Sequence, residues 1–309
     1  MRACRFVVMI VWFGCWVCPS LYAADRDTSQ MGQVRVATCQ FPVEKDIRAN
    51  ADWIRKQIRQ AVDARADVVH FSECALTGYP GVDMDDLNEF DYPLLRRETE
   101  SILALARELK VWVILGSIHR LTGEHKPHNS LYVINPKGQI IDRYDKRFCT
   151  GGDLKHFSPG DHCTVFDVKG VRCGLSICYD VRFPELFRAY ARRDVQLMFM
   201  SYHNARMKPD AIHPMIMPCS AQVRSASNYF FTSMNNSCVP HTWESIFITP
   251  DGRIAARLKR HEAGVMVNLV DTHKKYYDAS GAHRADVLKG KLNSGEAVND
   301  ARSKDRTSY

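Results

Sequence analysis

Three short stretches of this chain hold residue types suited to nucleophilic chemistry. Cys178 stands between the apolar run Val171–Ile177 and a helix opened by Pro184, in Cys178-Tyr179-Asp180-Val181-Arg182-Phe183-Pro184-Glu185. A strand running into a tight turn and then a helix lifts a side chain off the end of a sheet and brings backbone N–H groups beside it. One more buried cysteine would fit the same local pattern. A thiol nucleophile also needs a base and something to stabilise an oxyanion. Glu73 follows the apolar run 67–72 directly, with Gly78-Tyr79-Pro80 beyond it. A carboxylate at a strand end among apolar groups can have the raised pKa that base work wants, although a solvated loop glutamate reads the same way. Lys146, in Tyr144-Asp145-Lys146-Arg147-Phe148, is either the cation for such a site or one of 42 basic residues on a surface.

The elements that would position these residues are legible from periodicity. Residues 34–38 alternate as a strand. Ile47, Ala51, Ile54, Ile58 and Ala61/Val62 recur at helical spacing across 46–65. A buried strand over 67–72 delivers Glu73, a helix covers 94–109, and 111–118 is a near-continuous apolar strand of the sort covered on both faces. Asn135-Pro136-Lys137-Gly138, Lys169-Gly170 and Pro250-Asp251-Gly252 each separate two strand-like runs and predict hairpins. Helices are expected over 184–193 and 215–227, strands over 195–201, 228–234 and 264–270. Hairpins mixed with βα units, and no linker-like break, predict one large α/β domain whose helices cover two sheets. No glycine-rich phosphate loop of either common spacing occurs. The last twenty-five residues or so are polar and weakly patterned, and read as an extended tail.

Composition narrows the classes. The chain has 309 residues, 45% hydrophobic and 25% charged, which fits a folded domain and not a disordered or collagen-like chain. Its formal charge of +7 is scattered, with no basic run to suggest nucleic acid. The start, with Arg2 and Arg5, an apolar run over 6–18 and a small-residue exit, reads as a secretory signal cleaved after Ala23. The alternatives are a membrane anchor, or a cytoplasmic protein translated from Met31. Cleavage leaves 40 basic against 35 acidic residues, a charge of +5. It also leaves eight of the eleven cysteines: Cys39, Cys74, Cys149, Cys163, Cys173, Cys178, Cys219 and Cys238. No C-x2-C spacing occurs among these eight, which disfavours zinc, and several lie in apolar strands where cysteine acts as a small hydrophobe. They are expected to be mostly free and buried. His119, His125 and His128 are spaced too irregularly for a metal cluster.

Taken together, the three stretches resemble the nitrilase superfamily of carbon–nitrogen hydrolases. That family has a Glu-Lys-Cys triad in a strand–Glu–Gly-Tyr context, a Tyr-x-Lys and a Cys-Tyr-Asp-x-Arg-Phe-Pro-Glu; here these fall in the same order at 73, 146 and 178. The resemblance runs over about residues 33–280 and includes the Asn-Pro-Lys-Gly and Thr-Pro-Asp-Gly turns. It implies an α/β four-layer αββα sandwich over 33–284, between a leader (1–23) and a polar tail (285–309). It implies an amidohydrolase acting on a small non-peptide amide, aliphatic or ω-amide, with no cofactor or metal. Cys178 would form the thioester, Glu73 would move protons, and Lys146 with the backbone N–H of Tyr179 would hold the oxyanion. N-carbamoyl hydrolysis is the alternative, then nitrile hydrolysis or a non-catalytic member; from outside the family, a papain-like peptidase would need a histidine base. The family's second glutamate is replaced here, by its spacing to Pro159-Gly160, by Asp153, one methylene shorter. Tyr79, Tyr202, His203 and Asn204 are candidates for the pocket, or for packing. Arg182 and Glu185 are expected to pair across the elbow, and a homodimer or larger homo-oligomer is implied.

Overall fold

In this computed structural model the described residues are Met1 and 31–309, so the expected leader, apart from Met1, lies outside the described residues. Two βαβαβ runs build the framework. In the first, β1 (Gln33–Gln40), α1 (Ile47–Asp63), β2 (Val68–His70), α2 (Tyr92–Leu109) and β3 (Trp112–His119) place three parallel strands side by side. The hairpin strands β4 (His128–Ile134) and β5 (Ile140–Asp145) continue that sheet. The second run follows β6 (Val165–Val168): β7 (Val171–Ile177), α3 (Pro184–Ala191), β8 (Leu197–Ser201), α4 (His213–Asn228) and β9 (Phe231–Asn235). A further hairpin, β10 (Ile246–Ile248) and β11 (Ile254–Arg257), extends it, and β12 (Gly264–Asp271) returns to pair antiparallel with β1. The sheet orders are β12-β1-β2-β3-β4-β5 and β11-β10-β9-β8-β7-β6.

Side-chain alternation makes the layers. Val34, Val36, Val68, Ile114, Leu131 and Val133 of the first sheet meet Phe166, Leu175, Ile177, Leu197, Phe199 and Phe231 of the second in one apolar cluster. The opposite face of the first sheet packs on α1 and α2, and that of the second on α3 and α4. This is the expected αββα sandwich. α1 starts where Asp46 accepts from the amides of Arg48 and Ala49, and α2 where Asp91 accepts from Leu94, which satisfies otherwise orphaned N–H groups. Arg55 of α1 reaches Glu98 of α2 at 2.6 Å.

A polar stitch crosses the apolar interior. Buried His70 lies 2.8 Å from Ser233 Oγ through Nδ1 and 2.8 Å from Ser201 Oγ through Nε2, and Ser201 donates to the Phe71 carbonyl. It ties the end of β2 to the end of β8 and the middle of β9, close to where the candidate residues leave the sheets.

Two expectations need correction. β2 spans three residues and not six, because its ladder ends at His70, two residues short of the turn that begins at Glu73. The C-terminal region is not a featureless tail from 285. Gly281–Leu288 forms α5, across the expected boundary, with Ala301–Lys304 as α6. α5 is fastened by Arg284, which pairs with Asp278 and lies over the Tyr229 ring, and by Arg192, which donates to the Leu288 carbonyl. The eight described cysteines are all free; Cys39, Cys74, Cys173 and Cys238 are buried, whereas Cys219 is exposed. Among the described residues no helix is long and apolar enough to cross a membrane.

Candidate active site

Parallel strands present their carboxyl ends to one edge of a sheet, which is where open α/β folds place sites. Here that edge gathers Glu73 from beyond β2, Lys146 from beyond β5, Cys178 from the end of β7 and residues 202–204 from beyond β8. Cys178 takes a left-handed conformation, φ +44°, between extended Ile177 and a 3-10 turn over Cys178–Arg182. A non-glycine residue there is strained and persists only if its surroundings hold it. Buried Asp180 does so: it accepts from the Ile177 amide at 2.9 Å, the Phe148 amide at 2.9 Å and the Tyr144 hydroxyl at 2.7 Å. Arg182 and Glu185, expected to pair across this elbow, form no ion pair and are both exposed. Three inward donors on one carboxylate fix the turn without them.

Glu73 is fully buried on a turn that needs the bare backbone of Gly116. A Cβ at Gly116 would lie 1.9 Å from the Ser72 carbonyl oxygen, and the Gly116 carbonyl accepts from the Leu76 amide at 3.0 Å. Glu73 Oε1 accepts from Lys146 Nζ at 2.9 Å and Asn129 Nδ2 at 2.7 Å; Oε2 accepts from the His203 amide at 2.8 Å. A carboxylate has about four lone-pair sites. Three are filled, and the vacant one is on Oε2.

Lys146 is buried between two acids, 2.9 Å from Glu73 Oε1 and 2.9 Å from Asp153 Oδ2. Burial works against its charge, but the carboxylates of Glu73 and then Asp153 outweigh burial and hold the ammonium well above its ordinary pKa. Asp153 begins a 3-10 turn, accepts from the Tyr79 hydroxyl at 2.5 Å and from the Thr150 amide at 2.8 Å, and also lies at Lys146. Burial would raise its pKa, yet Lys146 and these donors leave it below the ordinary carboxylate value. Its shorter side chain therefore does reach, because the 3-10 turn carries its backbone close to the lysine.

Cys178 Sγ has Asn204 Nδ2 at 3.4 Å. Burial, then the charge of Glu73, pushes the thiol well above its ordinary pKa, against a smaller opposing pull from Lys146. It is a protonated thiol at neutral pH, and could act as a nucleophile only by handing its proton to a base. Tyr179 follows on the elbow, its ring edge-on to Phe183.

Not every expected pocket residue faces the site. Tyr79 does, through its hydroxyl, and Asn204 does, through its amide. Tyr202 does not: strand alternation sends Met198, Met200 and Tyr202 to the helix-covered face, where its ring meets Trp243 edge-on at 4.9 Å. His203 contributes its backbone amide to Glu73, while its ring is turned onto Asp83, with Nε2 2.8 Å from Oδ2. Sequence reasoning missed Asn129 and Asp83. Asn129 is one ordinary polar residue early in β4, and Asp83 sits in the loop after Gly78-Tyr79-Pro80 with no spacing to mark it.

Comparison with known proteins agrees with this geometry. Over 177 residues the chain is 29% identical to an omega-amidase of Homo sapiens, matching 54% of this chain and 63% of that protein, so it spans less than two thirds of that relative. It is 28% identical to an (R)-stereoselective amidase of a Pseudomonas species over 66% of this chain and 73% of the relative. A solved amidase from Nesterenkonia, described as carrying the acetamide moiety of fluoroacetamide at its active-site cysteine, shares the fold with a TM-score of 0.70 at 21% identity, covering 84% of this chain and 94% of that one. The carbon–nitrogen hydrolase family model matches residues 35–275, and with the sandwich and the strand-end cluster already described, the chain belongs to the carbon–nitrogen hydrolase family.

Proposed function

We propose that this protein hydrolyses a small non-peptide amide through a thioester on Cys178, releasing ammonia or an amine. The observation that carries this reading is a buried lysine clamped between Glu73 and Asp153 beside a strained, protonated cysteine. Cys178 Sγ attacks the amide carbon as its proton passes to the vacant lone pair on Glu73 Oε2, and the carbonyl oxygen becomes an oxyanion. The Lys146 ammonium stabilises that charge without giving up its proton, together with the backbone N–H of Tyr179. Glu73 then returns the proton to the departing nitrogen, and the carbon–nitrogen bond breaks to leave the thioester. A water activated by Glu73 attacks the thioester; the acid departs and the proton returns to sulfur. A histidine base is disfavoured, since among the described residues the side chain hydrogen-bonded to Cys178 Sγ is Asn204 and no histidine nitrogen bonds to it.

The omega-amidase and stereoselective-amidase relatives, and the Nesterenkonia amidase whose active-site cysteine carries the acetamide moiety of fluoroacetamide, favour amides over carbamoyl amines or nitriles. The test is ammonia release from short amides, ω-amides, carbamoyl amines and nitriles, with Cys178→Ala as control. Turnover of amides that vanishes in Cys178→Ala is expected; equal release by both proteins refutes the reading.

Export through the leader and self-association complete the proposal. α4 exposes Met215, Cys219 and Val223 in a row at helical spacing, preceded by exposed Ile212, which suits pairing with a second copy. Light scattering that returns the mass of one chain would refute pairing.

A further inference from the structure

Asp83 lies in the loop that follows Tyr79 and touches neither Cys178 nor Lys146, yet its side chain is only 1% exposed. Every atom able to accept is in use. Oδ2 takes the Tyr79 amide at 2.9 Å and lies 2.8 Å from His203 Nε2, and Oδ1 takes the Arg206 guanidinium at 3.1 Å. Tyr79 comes from the loop beyond β2, in one sheet; His203 and Arg206 come from the loop beyond β8, in the other. One carboxylate thus joins the two sheets at the rim of the site.

The His203 ring, fully buried, lies nearly parallel to the Tyr79 ring, 14° between planes and 5.9 Å between centroids. Phe157 also meets Tyr79 edge-on at 5.7 Å, so two rings restrain the phenol. Its hydroxyl then stands where it donates to Asp153 and accepts from Lys146 Nζ at 3.3 Å. The backbone amide of His203 meanwhile holds Glu73 Oε2. His203 therefore bears on both arms of the site, on the base through its backbone and on the lysine through the Tyr79 ring.

We propose that the Asp83–His203 pair is a positioning device for Lys146: it fixes the Tyr79 ring, whose hydroxyl sets where the ammonium points. Neither residue touches substrate. The inference rests on the amidase reading above, with Lys146 at the oxyanion. Losing the pair lets Tyr79 turn, Lys146 is left to the two carboxylates alone, and stabilisation falls in the transition state more than in substrate binding.

The test is a double-mutant cycle on the full chain: His203→Ala, Asp83→Asn, Tyr79→Phe, and each of the first two combined with Tyr79→Phe, all checked for a native melting transition. His203→Ala and Asp83→Asn should each lower kcat about tenfold with KM within about twofold, and in the Tyr79→Phe background should cost no more than about twofold further. Additive losses would mean that the pair acts through overall stability, and a raised KM with intact kcat that His203 meets the substrate; either overturns the proposal. Asp83→Asn, nearly isosteric, keeps the test alive if His203→Ala fails to fold. Alkylation of Cys178 by iodoacetamide needs no turnover and should show the same non-additive slowing, because Lys146 favours the thiolate. If the wild type releases no ammonia from any amide the amidase reading fails, and the alkylation cycle still decides this one.

Discussion

Replacing Asp153 tests how the lysine is held. Asp153→Asn keeps the side-chain shape but removes the negative charge 2.9 Å from Lys146 Nζ and puts an N–H2 group among the Lys146, Tyr79 and Thr150 donors. At that separation, with an effective dielectric of about 20, the gross attraction lost is about 6 kcal/mol. Much of it is offset by the dehydration that buries both charges. What remains falls on Lys146, the proposed oxyanion donor, and losing such a donor's alignment costs about 3 kcal/mol, or about 100-fold in kcat. Ammonia release at saturating substrate, with melting curves to confirm folding, measures it. Asp153→Glu should also lose activity: the aspartate already reaches Tyr79 at 2.5 Å, so an added methylene overpacks a buried site at a cost of about 1–3 kcal/mol. Asp153→Asn with more than half the wild-type kcat, or Asp153→Glu faster than wild type, would refute this account.

Other outcomes follow from the same packing. Gly116→Ala should lower stability by more than about 3 kcal/mol and abolish turnover, since its Cβ would meet the Ser72 carbonyl at 1.9 Å; chemical denaturation of the variant measures this, and a native-like midpoint would contradict it. Burial pushes His70 down to about 3, against about 6.5 in an unfolded chain, so the unfolded state takes up a proton that the native state refuses. The stability this carries is complete above pH about 6.5 and is lost as pH falls toward about 3; between pH 6 and 4.5 the urea midpoint should fall steadily in the wild type and stay nearly flat in His70→Gln. Asn129→Ala removes one of three donors on Glu73 and should lower kcat about tenfold with little change in melting temperature, whereas an unchanged kcat would show that Lys146 and the His203 amide hold the base unaided.

Chemical identity was legible in the sequence because it depends on local strings. A strand that ends in Cys178-Tyr179-Asp180, an apolar run that ends at Glu73 and a hairpin that ends at Lys146 each declare themselves within about ten residues. Period-two and period-3.6 patterns likewise marked nearly every strand and helix, since each element must bury one face. The reach of Asp153 was not legible, as it depends on a 3-10 turn that brings its backbone to Lys146. Nor was the direction of side chains in Tyr202-His203-Asn204. Where strand alternation stops decides that Tyr202 enters the core, His203 meets Asp83 and Asn204 meets the thiol. Asn129 and Asp83 left no trace, because each acts on a residue more than fifty positions away or across the two sheets. The sequence alone determined the family and marked the candidate nucleophile with its two charged companions, which short-range patterns encode. Only the tertiary structure decided how those charges are held, because lone pairs are filled by whatever donors the packing of two sheets brings within 3 Å.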